Sequence, residues 1–277
     1  MARHGHPDVR SVLLGSGQSS LVITSAHCRA RIEEHAVQAW PAPVSQHTDG
    51  WLVRHTPGMR RLRASGAALP RSSTSRVCST LHLVEAFYAD LDVRAAVQVS
   101  PAADYPELDR HLAARGYGFT APIQVLTALK DTLTPATRRD SRWEVTFRDA
   151  PTPAWLHAFA VLDGQDDSAA VADQVVSKIA VPKGFASVSA GDDIVGVGLA
   201  VGGDDEWAGV YCMATHPDHR RRGMGAAILR AIADWAIEHG ATGLYLQVEQ
   251  ANTAAQQMYT SVGFSHAYDY HYRVAFR

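Results

Sequence analysis

The chain has only three cysteines, Cys28, Cys78 and Cys212, and no two of them form a C-x-x-C pair. That scatter argues against a thiolate zinc site or a disulfide framework. No apolar run approaches the roughly 18 residues that a membrane-spanning helix needs, so no membrane partner is expected. Charge of one sign is missing too: 26 Lys plus Arg stand against 28 Asp plus Glu, for a net charge of −2. A nucleic-acid partner is not expected, because binding a polyanion needs a basic surface. There is no G-x-S-x-G, no His-x-x-x-His and no carboxylate cluster, so neither a hydrolase nor a metal site is predicted. The opening stretch "SVLLGSGQSSLVITSA" loosely resembles a signal peptide, but Gly15, Gly17 and Gln18 break its apolar part. The expected location is the cytoplasm.

What is present fits a globular protein: 277 residues, 46% hydrophobic and 19% charged. That length favours two domains. The polar segment "KDTLTPATRRD" (130–140) reads as a linker or crossover. We therefore expect an N-terminal extension over 1–30, a first domain over 31–137 and a second over 138–277. In the first half, "RIEEHAVQAW" reads as a helix stopped by Pro41. "GWLVRHT" and "MRRLRAS" read as strands joined at Pro57-Gly58, and "STSRVCSTLHLVEAFYADL" as a helix with a Ser/Thr cap. Strand "AAVQVS", helix "PELDRHLAARG" and strand "YGFTAPIQVLTAL" follow. In the second half, "WEVTF" is followed by two helices, by strands "GFASVSAG", "DIVGVGLAVG" and "WAGVYCMATHP", and by a helix over 225–239. The end reads as strand "GLYLQVEQ", helix "NTAAQQMYTSVG" and strand "FSHAYDYHYRVAF". Alternating strands and helices predict α/β halves with mixed sheets. A faint repeat appears at the end of each half, where "LAARGY" and "YTSVGF" both leave a helix through Gly and enter a strand through an aromatic.

One segment carries a chemical signal. After strand "GVYCMAT", His216-Pro217 stops sheet pairing. Arg220, Arg221 and Arg222 then precede Gly223-Met224-Gly225 and an amphipathic helix. Glycines admit an anion close to the main chain, the helix start supplies unpaired N–H groups and a positive dipole end, and arginine suits phosphate. Neither the full G-x-G-x-x-G nor a Gly-Lys-Ser/Thr is present, which excludes the dinucleotide and Walker A loops.

Arg220 to Gly225 fits the R/Q-x-x-G-x-G/A signature of the GCN5-related N-acetyltransferase (GNAT) superfamily, and the second half resembles that superfamily. The downstream "LQVEQANTAAQQMYTSVGF" matches a second signature at Leu246, Val248, Asn252, Ala255, Tyr259, Gly263 and Phe264. The resemblance implies two tandem GNAT-like domains, each a mostly antiparallel mixed sheet flanked by helices. The first half more weakly resembles the degenerate N-terminal domain of tandem members and is expected to be non-catalytic. Arg63-Ala64-Ser65-Gly66-Ala67-Ala68 there formally fits the anion signature, but Leu69-Pro70 follow and no helix start faces it.

The resemblance also implies the roles. The backbone of Met213, Ala214 and Thr215 would pair with the pantetheine arm of an acyl donor. Arg220, Arg221, Arg222, Gly223, Met224, Gly225 and Ala226 would hold its pyrophosphate. Asn252 would cap a helix and reach the same arm. Tyr259 would protonate the departing thiolate, a task a phenol of pKa about 10 can perform. An N–H near Met213 would polarise the thioester carbonyl. Glu249, Tyr211 and His216 are candidate bases, with Glu249 preferred; Cys212 reads as a small core residue. The implied activity is acyl transfer, most simply acetylation, from acetyl-CoA or another acyl-CoA to the amine of a small molecule through a tetrahedral intermediate. An acyl carrier protein with a phosphopantetheine arm is an alternative donor, as in natural-product biosynthesis. A non-catalytic acyl-CoA-binding regulatory module is a second alternative. Monomer and homodimer both remain open. "VVSKIAVPKGFAS" and "YDYHYRV" are the expected walls of the acceptor pocket.

Overall fold

A computed structural model describes residues 25–65, 68–70, 78–103, 107–137, 143–202 and 206–276. Its first element is helix α1 (Ala26–Ala39), which begins earlier than its apolar spacing indicates because the Ser25 hydroxyl accepts from the Cys28 amide as an N-cap. The strands β1 (Val44–Thr48) and β2 (Trp51–His55) form a hairpin. Its turn is Asp49-Gly50, where both residues have positive φ. The expected hairpin at Pro57-Gly58 is therefore corrected: Asp-Gly matches strand twist and closes the tighter turn. "MRRLRAS" is not a strand either. Its centre folds into the short helix α2 (Leu62–Ser65) because the buried Asp167 carboxylate accepts from the amides of Arg60 and Arg61 and pairs with the Arg61 guanidinium.

Strand β3 (Leu69–Pro70) completes a three-stranded sheet. Helix α3 (Leu81–Asp90) starts without the expected side-chain cap. The Thr80 hydroxyl accepts from Trp51 Nε1 at 3.1 Å and donates to the Asp49 carbonyl, tying the helix to the hairpin instead. Strand β4 (Ala96–Val99), helix α4 (Leu108–Ala114) and strand β5 (Tyr117–Leu129) fall where the sequence places them. The expected linker is helical over α5 (Lys130–Thr137), where Leu133 is buried and anchors the turn; 138–142 lie outside the described residues. The Ser residues ahead of Cys78 and the extension over 1–24 also lie outside them.

The second half runs β6 (Thr146–Arg148), α6 (Pro153–Leu162), α7 (Ser168–Gln174), β7 (Lys183–Ala190), β8 (Asp193–Val201), β9 (Trp207–Thr215), α8 (Met224–Glu238), β10 (Gly243–Glu249), α9 (Thr253–Ser261) and β11 (Ser265–Ala275). Together with β4 and β5 these strands make an eight-stranded sheet, ordered β4-β11-β5-β10-β9-β8-β7-β6. The fold is thus α/β, with a mixed sheet flanked by helices. Every neighbour pair in that sheet is antiparallel except β9 with β10.

Strand β5 belongs to the first half in sequence, yet it lies between β10 and β11 of the second. The two halves therefore share one sheet. One face packs against α8 and α9 through Leu244, Leu246 and Val248. The other carries Tyr245, Tyr268, Tyr270 and Tyr272, and α1, α6 and α7 pack there. The three tyrosines of β11 alternate onto one face as expected. Asp109 of α4 also grips β11, bonding Arg273 through both carboxylate oxygens and His271 at 2.6 Å.

Candidate active site

The site grows from the one parallel pair. Strands β9 and β10 pair over only three positions, Trp207 with Gly243, Ala208 with Leu244 and Gly209 with Tyr245. Beyond these, β9 continues to Thr215 paired with β8 alone, and β10 continues to Glu249 paired with β5 alone. The strands part, opening a notch whose walls carry unpaired backbone polar groups.

A bulge faces that notch. Tyr211 lies opposite Leu199 and Ala214 opposite Val197, so Cys212 and Met213 share the single partner Gly198. Cys212 takes φ of +52°, which breaks regular pairing and turns the backbone at this point. The Met213 side chain packs towards α8, leaving its main chain as the part that can serve the notch. Met213, Ala214 and Thr215 are all half-buried, in contrast to the buried stretch from Trp207 to Tyr211. The Cys212 thiol is pushed well up by burial and lies against the core, so it stays protonated.

The loop after β9 is shaped by two left-handed residues, Arg221 at φ +60° and Gly223 at φ +81°. Gly223 caps α8, and a side chain there would meet open space although the backbone would be strained. The openness leaves room for a bulky group beside the main chain. The first helical bond is Ala227 to Gly223, so the amides of Met224, Gly225 and Ala226 precede the hydrogen-bond ladder. Arg220, Arg221 and Arg222 are exposed. The Arg220 Nε donates to the Thr215 carbonyl, and the Arg222 carbonyl accepts from Trp143 Nε1, pinning both loop ends. Backbone amides, a 15-residue helix start and three guanidiniums fit a pyrophosphate.

Tyr259 projects from α9 and is buried against Phe264. Burial pushes its phenol up to about 12, partly opposed by the positive charge of Arg63. Its hydroxyl makes no hydrogen bond among the described residues. Asn252 caps α9 through its side-chain oxygen, which accepts from the Ala255 amide. Glu249 ends β10 with an exposed side chain, and its carbonyl accepts from Asn252 and Gln256. His216 is a turn residue whose Nδ1 accepts from the Asp218 amide. The Tyr211 hydroxyl is spoken for by Tyr245. Of the expected pocket walls, Val175, Val176 and Ile179 are buried in the core with Trp155 rather than exposed to a cleft.

Four residues of the first half pack beside these strands, and three of them, Glu33, His35 and Trp40, lie in no signature. Glu33 and His35 of α1 are buried: Glu33 accepts from Tyr268 and Gln98, and His35 Nδ1 lies 2.7 Å from the Tyr245 hydroxyl. Trp40 stacks on Tyr211, with ring centroids 5.2 Å apart, and Arg63 of α2 lies over both rings. Sequence reading set Arg63 aside as part of a decoy loop. Its position depends on Asp167, more than 100 residues away in the chain, so local pattern could not find it.

This architecture is that of an acyltransferase. The family profile described as "Probable histone acetyltransferase Rv0428c C-terminal" matches residues 25–273, and the chain belongs to that family of GNAT enzymes. A Bacillus subtilis (strain 168) protein, the "Uncharacterized N-acetyltransferase YobR", is 25% identical over 248 residues, covering 88% of this chain and 97% of its own. The Escherichia coli (strain K12) ribosomal-protein-bS18-alanine N-acetyltransferase is 37% identical over 60 residues, which is 22% of this chain and 40% of that enzyme. Among solved structures, a GCN5-related N-acetyltransferase from Kribbella flavida superposes with TM-score 0.67 at 16% identity, covering 89% of this chain and 95% of its own. A tandem GNAT protein from the clavulanic acid biosynthesis pathway gives 0.66 at 11% identity, covering 94% of each chain. Among the described residues no group of metal-ligating side chains occurs, and no helix is long and apolar enough to cross a membrane.

Proposed function

We propose that the protein transfers an acyl group from acyl-CoA to the amine of a small molecule. The observation that carries this reading is the parting of β9 from β10 after Gly209 and Tyr245, with β9 running on through Thr215 into the Arg220–Gly223 loop. Met213, Ala214 and Thr215 would hold the pantetheine arm, and Arg220, Arg221, Arg222, Gly223, Met224, Gly225 and Ala226 the pyrophosphate. Asn252 would cap α9 and border the arm. The donor supplies an activated thioester. The amine nitrogen bonds to the acyl carbon, the C–S bond breaks, and the thiolate takes a proton. Tyr259 holds a proton for that thiolate, since its raised pKa keeps it protonated at neutral pH. The Met213 backbone polarises the carbonyl, and Glu249 takes the amine proton through solvent.

The first half serves as a non-catalytic wall. In it, Leu112 stands where Tyr259 stands in the second, and it is fully buried in the core of that half. Helix α1 covers the tyrosine face of the sheet, and the acceptor on this reading is a small amine rather than an extended polypeptide such as a histone tail.

Calorimetry with acetyl-CoA, CoA and an acylated carrier protein tests the donor. Acetyl-CoA binding that Gly223→Trp abolishes supports the reading. Binding of acyl-carrier protein without binding of CoA replaces the donor. Binding of neither, by a folded protein, overturns it.

A further inference from the structure

Arg63 of the first half contacts residues of both strands beside the notch. Its Nη1 donates to Gln247 Oε1 at 2.9 Å, and the same oxygen accepts from the Tyr270 hydroxyl at 3.2 Å. Gln247 sits on β10 and Tyr211 on β9, each beyond the last position at which those two strands pair with each other. Arg63 therefore bridges the two strands where they separate. The guanidinium carbon lies 5.1 Å from the Trp40 ring centroid and 5.5 Å from that of Tyr211. The buried Arg54 donates to the Trp40 carbonyl and holds that residue in place.

The guanidinium is not neutralised. Among the described residues no carboxylate lies within ion-pairing distance of Arg63, whereas its neighbours Arg60 and Arg61 pair with Asp166, Asp163 and Asp167. The residue is half-buried. Nε and Nη2, which form the side-on fork that matches a carboxylate, donate to no protein group among the described residues. A fixed, unpaired cation among buried aromatic rings is costly unless something anionic completes it.

We propose that Arg63 is the specificity-determining residue of the acceptor site and binds a carboxylate of the acceptor, so that the substrate is a small amine that is also a carboxylic acid. The assignment rests on the acyltransferase reading above. Arg63 comes from the face opposite Tyr259, and its contacts with Tyr211 of β9 and Gln247 of β10 place it where those two strands part. A carboxylate held on the Nε–Nη2 fork would anchor the amine between them. The same positive charge disfavours an ammonium beside it and so favours the neutral, nucleophilic amine. A lysine side chain on a basic peptide would meet repulsion and no partner for its charge.

The test uses the full chain, acetyl-CoA, and amino acids offered in matched pairs as the free acid and as the primary amide, with thiol release as the readout. The wild-type protein is expected to use the better acids with kcat/KM about tenfold or more above their amides. In Arg63→Met, which keeps the stem but not the fork, that ratio should fall to about twofold or less, through KM rather than kcat. Arg63→Lys guards against misfolding: it keeps a charge without the fork and should give an intermediate ratio. Equal use of acids and amides by the wild-type protein, or a ratio unchanged in Arg63→Met, overturns the assignment. Acetyl-CoA binding measured alone separates the failures. If the donor binds and acids and amides react alike, only Arg63 loses its role. If no donor binds, the underlying reading fails and this one with it.

Discussion

The hydroxyls of Tyr211 and Tyr245 lie 2.7 Å apart, and Tyr245 is the last residue at which β9 and β10 pair. The Tyr245 hydroxyl is also 2.7 Å from His35 Nδ1, so a single buried chain joins helix α1 to the strands on both sides of the notch. Burial raises both phenols, Tyr211 to about 12 and Tyr245 well above its usual value, and lowers the His35 imidazole. All three are therefore neutral at neutral pH and bonded to one another.

Tyr245→Phe removes the middle of that chain and leaves two buried polar atoms without their partner. Loss of about 1–3 kcal/mol of stability is expected, read as a lower urea midpoint with an unchanged slope. Because His35 has a lowered folded pKa, the folded state binds fewer protons than the unfolded one. The stability linked to neutral His35 is present above the unfolded imidazole pKa and is lost as pH falls below it.

Asp109→Asn tests the clasp between α4 and β11. Hydrogen bonds from Arg273 and then from His271 outweigh burial and lower the Asp109 carboxyl to about 2. A depressed carboxylate stabilises above its unfolded pKa and stops doing so as pH falls towards 2. With a partly exposed carboxylate, about 1 kcal/mol is expected at neutral pH after allowing for solvent screening. The difference between wild type and variant in denaturant titrations should shrink progressively below pH 4 and vanish near pH 2.

Tyr259→Phe separates chemistry from donor binding. The ring still fills its place against Phe264, so acetyl-CoA affinity should change little. Loss of the proton donor should lower kcat by about 10²–10⁴-fold. With the phenol raised to about 12, no alkaline loss of rate from Tyr259 should appear below pH 10 in the free enzyme. A matching fall in donor affinity would point to a packing role instead.

Gly263→Ala probes why a glycine ends α9. Its φ is +105°, and a Cβ there would sit 2.8 Å from the Thr132 carbonyl oxygen of α5. Backbone strain adds to a clash with main chain that cannot rotate away. A loss of about 2–4 kcal/mol is expected, seen as a thermal midpoint many degrees lower. Gly223→Ala, in open space, should cost only the strain of its left-handed backbone.

Much of this protein is legible in the chain itself. Strand β5 is predicted over its full range, because alternating apolar residues between a helix signal and a polar segment leave little choice. The Arg220–Gly225 loop and the α9 signature are local: strand end, glycine, helix start and cap are neighbours in sequence, so their chemistry can be read there. "MRRLRAS" reads wrongly because its apolar spacing allows a strand. The carboxylate of Asp167, just ahead of α7, supplies the hydrogen bonds that make it a helical turn. "KDTLTPATRRD" reads as a linker because its one core anchor, Leu133, gives no periodicity.

What the sequence determined by itself is the acyltransferase class and the shape of the Arg220–Gly225 loop, since those depend on backbone geometry set within a few residues. Only the tertiary structure decided that β5 of the first half enters the sheet of the second, and that α1 and α2 bring Glu33, His35, Trp40 and Arg63 against it. Those contacts join residues some 100 to 235 positions apart. They come from strand pairing and burial, which act between surfaces and leave no spacing in the chain to read.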